Sequence, residues 1–375
     1  MSSPASPPRK IKIVTSDMHL SAGRFVDGVP NPYEDFFFDI EFCEFLEYFS
    51  TGQYGDGCEV ELILNGDVLD FLNVQVGGEW VDVVTSDVAV EKLIDILDGH
   101  REVVRALQRF LSRRGKRVVY NTGNHDMEFF FPKVRETFCR ILGGENWTKD
   151  KVWVNAETEY LEYPEGIQIH HGNQFEAVHA TNYQQPFITE NLPEPILAMP
   201  WGSVYVTKII NRMKWERDYL DKVKPVKLFM LVSLIFDPIF TIKFFLMNTF
   251  YFLNTRFIYN PRRRATIANT LAIMRDEITP FYGLEDDARA ILDANEKVSI
   301  VIFGHTHGAM QRFYRDGKTY INTGTWTRMI SLDFRHLGQS TALTFALVEY
   351  TPEGQPVASL QEWRGLHQPH RPFNF

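Results

Sequence analysis

Five short clusters in this chain hold residues able to bind metal ions: Asp17-Met18-His19, Gly66-Asp67-Val68-Leu69-Asp70, Gly123-Asn124-His125-Asp126, His171-Gly172 and Gly304-His305-Thr306-His307. Pooled, Asp17, Asp67, His19, His171, His305, His307 and Asn124 offer two carboxylates, four imidazoles and one amide, with no thiolate. Imidazole suits Zn, Fe and Ni, whereas carboxylate and amide oxygens suit Mn and Mg. The mixed set therefore favours Mn²⁺, Fe or Zn²⁺ over Ca²⁺ or a structural zinc knot. Seven donors are too many for one ion and natural for two ions sharing a carboxylate. Singly, D-x-H occurs by chance and GDVLD can be an ordinary strand-to-turn junction. GNHD and GHTH are rarer, and their glycines permit the sharp turns that expose ligands.

Each cluster follows a short run rich in β-branched residues: residues 10–16, 60–65, 117–122, 167–170 and 298–303. Further runs of this kind lie at 318–322 and 341–350. Brevity and Val/Ile content predict strands buried on both faces. Helical spacing appears over 35–50 and over 86–114, the latter starting at an N-cap Ser86 and stopping at Gly115. Strand alternating with helix predicts an α/β layered core. The carboxyl ends of such strands gather at one sheet edge, where ligands distant in sequence can meet. His170 neighbours His171 but points to the opposite face of its strand, so it is expected to be structural. Asp70 is expected to support its loop. His100, His179, His336, His367 and His370 belong to no motif and are expected at the surface or in loops.

The order D-x-H, G-D-x-x-D, G-N-H-D, H-G, G-H-x-H resembles the calcineurin-like metallophosphoesterase superfamily over about residues 11–325. The resemblance implies a two-sheet α/β sandwich flanked by helices, with a dinuclear centre. It implies that Asp17, His19, Asp67 and His307 hold one metal, that Asp67 bridges, and that Asn124, His171 and His305 hold the second. His125 then resembles the family's catalytic histidine, with Asp126 behind it to fix its tautomer. NTGTW at 322–326 resembles a family turn with a packing role. Two divalent ions clamp a phosphoryl group and generate a hydroxide from water at neutral pH. His125 would protonate or stabilise the leaving oxygen. SDMHL, HHGNQFE and a hydrophobic insertion between the last two motifs are similar to the UDP-2,3-diacylglucosamine hydrolases. That implies a lipid-linked or nucleotide-sugar phosphoester or pyrophosphate substrate.

Charge separates the chain into two kinds of segment. The net charge is −9, yet residues 200–264 carry twelve Lys or Arg against four acids, leaving the remainder at −17. An acidic body disfavours extended contact with nucleic acid. Within the basic segment, 228–253 is almost wholly apolar, but Asp237-Pro238 cuts it too short for a transmembrane helix. The expected organisation is a core over 1–180 and 290–375, with a helical, basic and aromatic-rich insertion over 181–289. That insertion is a lid, an interfacial element on an anionic membrane, a subunit interface or a buried subdomain. Lys222, Lys224 and Lys227 on one side and Arg262, Arg263 and Arg264 on the other would be its cationic flanks. Three cysteines and the lack of an apolar leader in MSSPASPPRK point to the cytoplasm, with the inner membrane face as the further possibility. A soluble phosphatase or nuclease, or a scaffold without activity, are the other readings. The complete ligand set counts against the scaffold.

Overall fold

In the structure, a computed structural model, residues 10–224, 226–257, 284–332 and 338–373 are described. Two sheets form its centre. The larger runs in the order His370–Pro372, Pro356–Trp363, Thr344–Tyr350, Lys10–Thr15, Glu59–Asn65, Lys116–Asn121, Val152–Asn155. Its last four strands are parallel. The smaller runs Met310–Phe313, Thr319–Asn322, Ile300–Phe303, Ile167–His170, Tyr160–Tyr163, with the central three parallel.

Side-chain alternation explains why these strands are apolar throughout. Val14, Ile63 and Val119 of the larger sheet face Ile169, Ile302 and Ile321 of the smaller one. Their neighbours Ile13, Leu62, Leu64, Val118 and Tyr120 face outward, under the helices. Asp39–Tyr48, Ser86–Gly99, Arg101–Ser112 and Pro132–Gly143 cover that side. Glu285–Ala294 covers the far face of the smaller sheet through Leu284, Ala288 and Leu292. The fold is thus an α/β two-sheet sandwich flanked by helices, as expected.

Local differences from the sequence reading have physical causes. The helical run over 86–114 is two helices, capped by Thr85 and not Ser86 and interrupted at His100. A side chain on Gly99 would collide with the backbone at Ala22 and Gly23. Buried His100 bonds Asp39 through Nδ1 at 2.6 Å and Glu34 through Nε2 at 3.1 Å. His100, expected at the surface or in a loop, thus lies in the turn between the two helices but is buried. Burial opposes its charge, but the two carboxylates outweigh burial and raise its pKa to about 9. The folded-state value lies above the ordinary 6.5. This ion cluster therefore contributes fully below about pH 6.5 and fades as pH rises through about 9, a loss of about 3 kcal/mol. Denaturant midpoints measured from pH 6 to 10 should fall across that window. His100→Gln should flatten the curve, and an unchanged slope would refute the assignment.

Between the two motif-bearing ends, the chain runs through a short helix Trp201–Tyr205, a π-helical turn Val206–Ile210 and the helix Asn211–Lys214. The apolar stretch forms Val226–Phe236 and Pro238–Phe257, broken where Asp237-Pro238 was expected to break it. Phe229, Phe240 and Phe244 pack with Ile209, Met213, Leu220 and Val223 in a cluster of their own. Among the described residues, no helix is long and apolar enough to cross a membrane. Among the segment's described side chains, five cations are paired with acids. Buried Lys214 lies 3.0 Å from Asp35 and 2.8 Å from Asp221, and Lys222 lies 2.6 Å from Asp35. Lys208 pairs with Asp82, Arg217 with Asp237 and Lys243 with Glu216. Lys222 is therefore an anchor to the body and not a free flank. Arg262, Arg263 and Arg264 lie outside the described residues.

Candidate metal centre

All five motif loops leave the carboxyl ends of parallel strands and converge. Asp17, Asp67 and Asn124 come from the larger sheet, and His171, His305 and His307 from the smaller. Seven non-glycine residues adopt positive φ among the described ones, and five of them are Asp17, His19, Asp67, His305 and His307. Such backbone is uncommon for non-glycine residues and clusters where packing enforces it at functional sites. The neighbouring glycines are required by close approach. A side chain on Gly123 would strike Asp67, and one on Gly304 would strike Ser16 and Asp17. The NTGTW turn holds the loop that carries Asp17: Thr325 Oγ1 donates to Asp17 O at 2.6 Å, and Trp326 N donates to the same oxygen at 3.2 Å.

The donors fall into two groups. Asp17, His19 and His307 place one ligand atom each within 4.8 Å of one another, and Asp67, His171 and His305 do the same. In the first group, His19 Nε2 is 3.1 Å from His307 Nε2, and His307 Nε2 is 3.4 Å from Asp17 Oδ1. In the second, His171 Nε2 is 3.1 Å from Asp67 Oδ2, without the alignment of a hydrogen bond. Two buried polar atoms here have no hydrogen-bond partner, His171 Nε2 and Asn124 Oδ1. Buried polar atoms are rarely left so, and an unpartnered imidazole nitrogen beside a carboxylate is what a cation's ligand set requires. The residues present therefore fit divalent metal ions. The opposite nitrogens are tethered: His171 Nδ1 donates to Asn65 O at 2.8 Å, and His19 Nδ1 lies 2.9 Å from Asp70 Oδ2.

Electrostatics agree with a site built around positive charge. Burial pushes the Asp67 carboxyl up, but the imidazoles of His171, His125 and His19 hold it well below the ordinary range. Asp17 is lowered against burial by His307 and His171. His171 is raised to about 9, because Asp67 and Asp17 overcome the cost of burying its charge.

His125 is a member of neither group but adjoins both: its ring centroid is 4.7 Å from that of His19, with which it and Asp70 form a further cluster of donors, and its backbone N donates to Asp67 Oδ1 at 2.8 Å. Asp126 does not orient the imidazole, as the sequence order implied. It accepts from Tyr120 Oη at 2.6 Å and from Gly123 N at 2.5 Å, and so braces its own loop. Its pKa rises to about 7 from burial first and the Asp67 charge second. The partner of His125 is Asp70, whose Oδ1 lies 3.0 Å from Nδ1. Asp70 therefore holds His19 and His125 with its two oxygens. His170 stays outside the donor groups, stacked on Tyr160 at 4.6 Å between ring centroids.

The fold that gathers these donors is an α/β two-sheet sandwich flanked by helices. No protein-family model matches the chain, and no curated protein sequence matches it. Among solved structures it is similar to a dimetal phosphatase from Danio rerio, at 10% identity over 97% of this chain and 98% of that one, with a TM-score of 0.38. It is also similar to Vps29 from Chaetomium thermophilum, at 9% identity over 94% and 91%, TM-score 0.32. A third likeness is to a predicted phosphoesterase from Streptococcus pneumoniae, at 11% identity over 97% and 96%, TM-score 0.28.

Proposed function

We propose that this protein is a metal-dependent hydrolase of phosphoric esters or anhydrides that uses two divalent ions, with Mn²⁺ favoured and Fe or Zn²⁺ as alternatives. The observation that carries the reading is the pair of donor groups at the sheet edge, with His171 Nε2 and Asn124 Oδ1 buried and unpartnered. Asp17, His19 and His307 would hold one ion and Asn124, His171 and His305 the other, with Asp67 between them. Bound divalent ions supply charge stabilisation to the phosphoryl oxygens and activate the attacking water. The chain's own residues do the rest. Asp70 fixes the His125 imidazole through Nδ1, which leaves Nε2 to give a proton to the departing oxygen. Asp70 also sets the ring of His19, so one carboxylate aligns a ligand and the proton donor together.

The substrate reading is narrower and rests on the insertion. Ser203 Oγ donates to Asn124 O at 3.3 Å, so the chain leading into the apolar helices is tied to a ligand loop. On those helices Ile235 is 74% exposed, Phe236 and Ile239 are 82% exposed and Phe250 is 70% exposed. Contiguous apolar surface of this kind is uncommon on a protein that meets only water. It supports a phosphoester or pyrophosphate that carries acyl chains, taken from an anionic membrane surface. Because the described cations are mostly paired, apolar burial should dominate that attachment over charge.

A panel of mono-, di- and pyrophosphate esters, with and without acyl chains, tests both layers with Mn²⁺ present. Turnover of any member, lost on chelation and restored by Mn²⁺, is the expected result. Acylated substrates should be favoured, and Phe236→Ser with Ile239→Ser should reduce sedimentation with anionic vesicles. No turnover across the panel defeats the hydrolase. Equal rates without vesicle binding leave a soluble phosphatase and reassign the apolar helices to a protein interface.

A further inference from the structure

We propose that Glu176 fixes the imidazole of His305, with His179 holding Glu176 in place, so that a residue outside the five motifs sets the affinity of one metal site. The inference rests on the metal-centre reading above. His305 Nε2 lies 2.9 Å from Glu176 Oε2, and His179 Nδ1 lies 2.8 Å from the same oxygen. Glu176 closes the short helical turn Asn173–Phe175 that follows directly on His171 and Gly172. The backbone then folds back on itself. His179 N and Ala180 N both donate to Glu176 O, which returns the His179 ring to the Glu176 carboxylate. Gly202 packs so closely on that ring that a side chain there would strike it.

The pattern matches the other imidazoles of the centre. His19 is tethered through Nδ1 to Asp70, and His171 through Nδ1 to a backbone carbonyl. Each tether fixes which nitrogen carries the proton and which keeps its lone pair for a cation. With Nε2 of His305 committed to Glu176, Nδ1 is the nitrogen left to join Asp67 and His171. Glu176, His179 and His305 could themselves be read as a third cation site, since their ligand atoms lie within 4.8 Å of one another. Both ring nitrogens are already satisfied by one carboxylate oxygen, unlike the orphaned His171 Nε2 and Asn124 Oδ1. That contrast favours positioning over ligation.

Two measurements test the role. In the metal-free protein, ¹⁵N shifts of the His305 ring should report a proton on Nε2 in the parent and in Glu176→Gln, which keeps an acceptor oxygen. Glu176→Ala should show a mixture of tautomers with its melting curve intact. In Mn²⁺ titrations followed by calorimetry, Glu176→Ala should weaken one of two binding steps by roughly 10–100-fold, the usual loss when such a partner is removed. The other step should be unchanged, and Glu176→Gln should recover most of the loss. Parent affinities for both steps in Glu176→Ala would overturn the proposal. So would a parent that binds three ions and falls to two. A parent that takes up no Mn²⁺ defeats the metal-centre reading itself, and the tautomer measurement then still decides whether Glu176 fixes His305.

Discussion

Asp67→Ala should lose hydrolysis and metal loading together. The carboxylate is buried beside His171, and the His171, His125 and His19 charges together hold it far below the ordinary range. One oxygen faces His171 Nε2 at 3.1 Å while the other accepts from His125 N at 2.8 Å. Its removal takes away the donor placed between the two groups and leaves His171 without its charge partner. It also frees the backbone that carries His125. Activity should fall below detection, and elemental analysis of the purified variant should find fewer than two ions per chain. Two ions retained per chain would show that Asp67 is no shared ligand. A variant that keeps its metals but loses its rate would move Asp67 from binding to chemistry.

His125→Ala should behave in the opposite way, keeping both ions while losing rate by roughly 10²–10⁴-fold, the span expected for a proton donor. Its imidazole is tied to Asp70 and belongs to neither principal donor group, so ion stoichiometry should not move. The loss should shrink on esters with good leaving groups, because a departing oxygen that is already stable needs no proton. Comparing a nitrophenyl ester with an alkyl ester of the same phosphate gives the readout. Equal losses on both, or loss of metal, would refute the role. Asp70→Asn offers a contrast within the same site. It should disturb His19 as well as His125, and so weaken metal binding and rate at once.

Much of this cluster of candidate donors was legible in the sequence because each donor is announced by the strand before it. Asp17, Asp67, Asn124, His171 and His305 follow strands whose apolar runs are unambiguous, and glycine marks most of the turns. What escaped depends on contacts between distant segments. Asp126 was the natural partner for His125 in a linear reading, yet Asp70, 55 residues away, reaches the ring because strand pairing lays the two loops side by side. Glu176 lies five residues beyond His171, but the 129 residues separating it from His305 hid its role. His100 is marked as buried by nothing in the neighbouring sequence, because the adjacent acids Asp98 and Glu102 pair with Arg101 and Arg105. Its partners arrive from the loop and helix that begin at Glu34 and Asp39. The strands Tyr160–Tyr163, Met310–Phe313 and Pro356–Trp363 were missed because their partly polar edges interrupt the apolar pattern.

The split origin of the donors turns the inside of the sandwich into a spacer. Asp17, Asp67 and Asn124 ride on one sheet, while His171, His305 and His307 ride on the other. The gap between these two halves is set by the methyl groups of Val14, Ile63 and Val119 against Ile169, Ile302 and Ile321. Packed sheets sit about 10 Å apart, and that separation follows side-chain volume. Trimming one of these isoleucines to valine would cost modest stability, about 0.5–1.5 kcal/mol. It would also let the sheets close on each other at the edge where the carboxylates meet the imidazoles. Residues that touch no substrate thereby calibrate the reach between the two donor sets. Across related chains, volume changes on one inner face should be matched by opposite changes on the other, even where every ligand is the same.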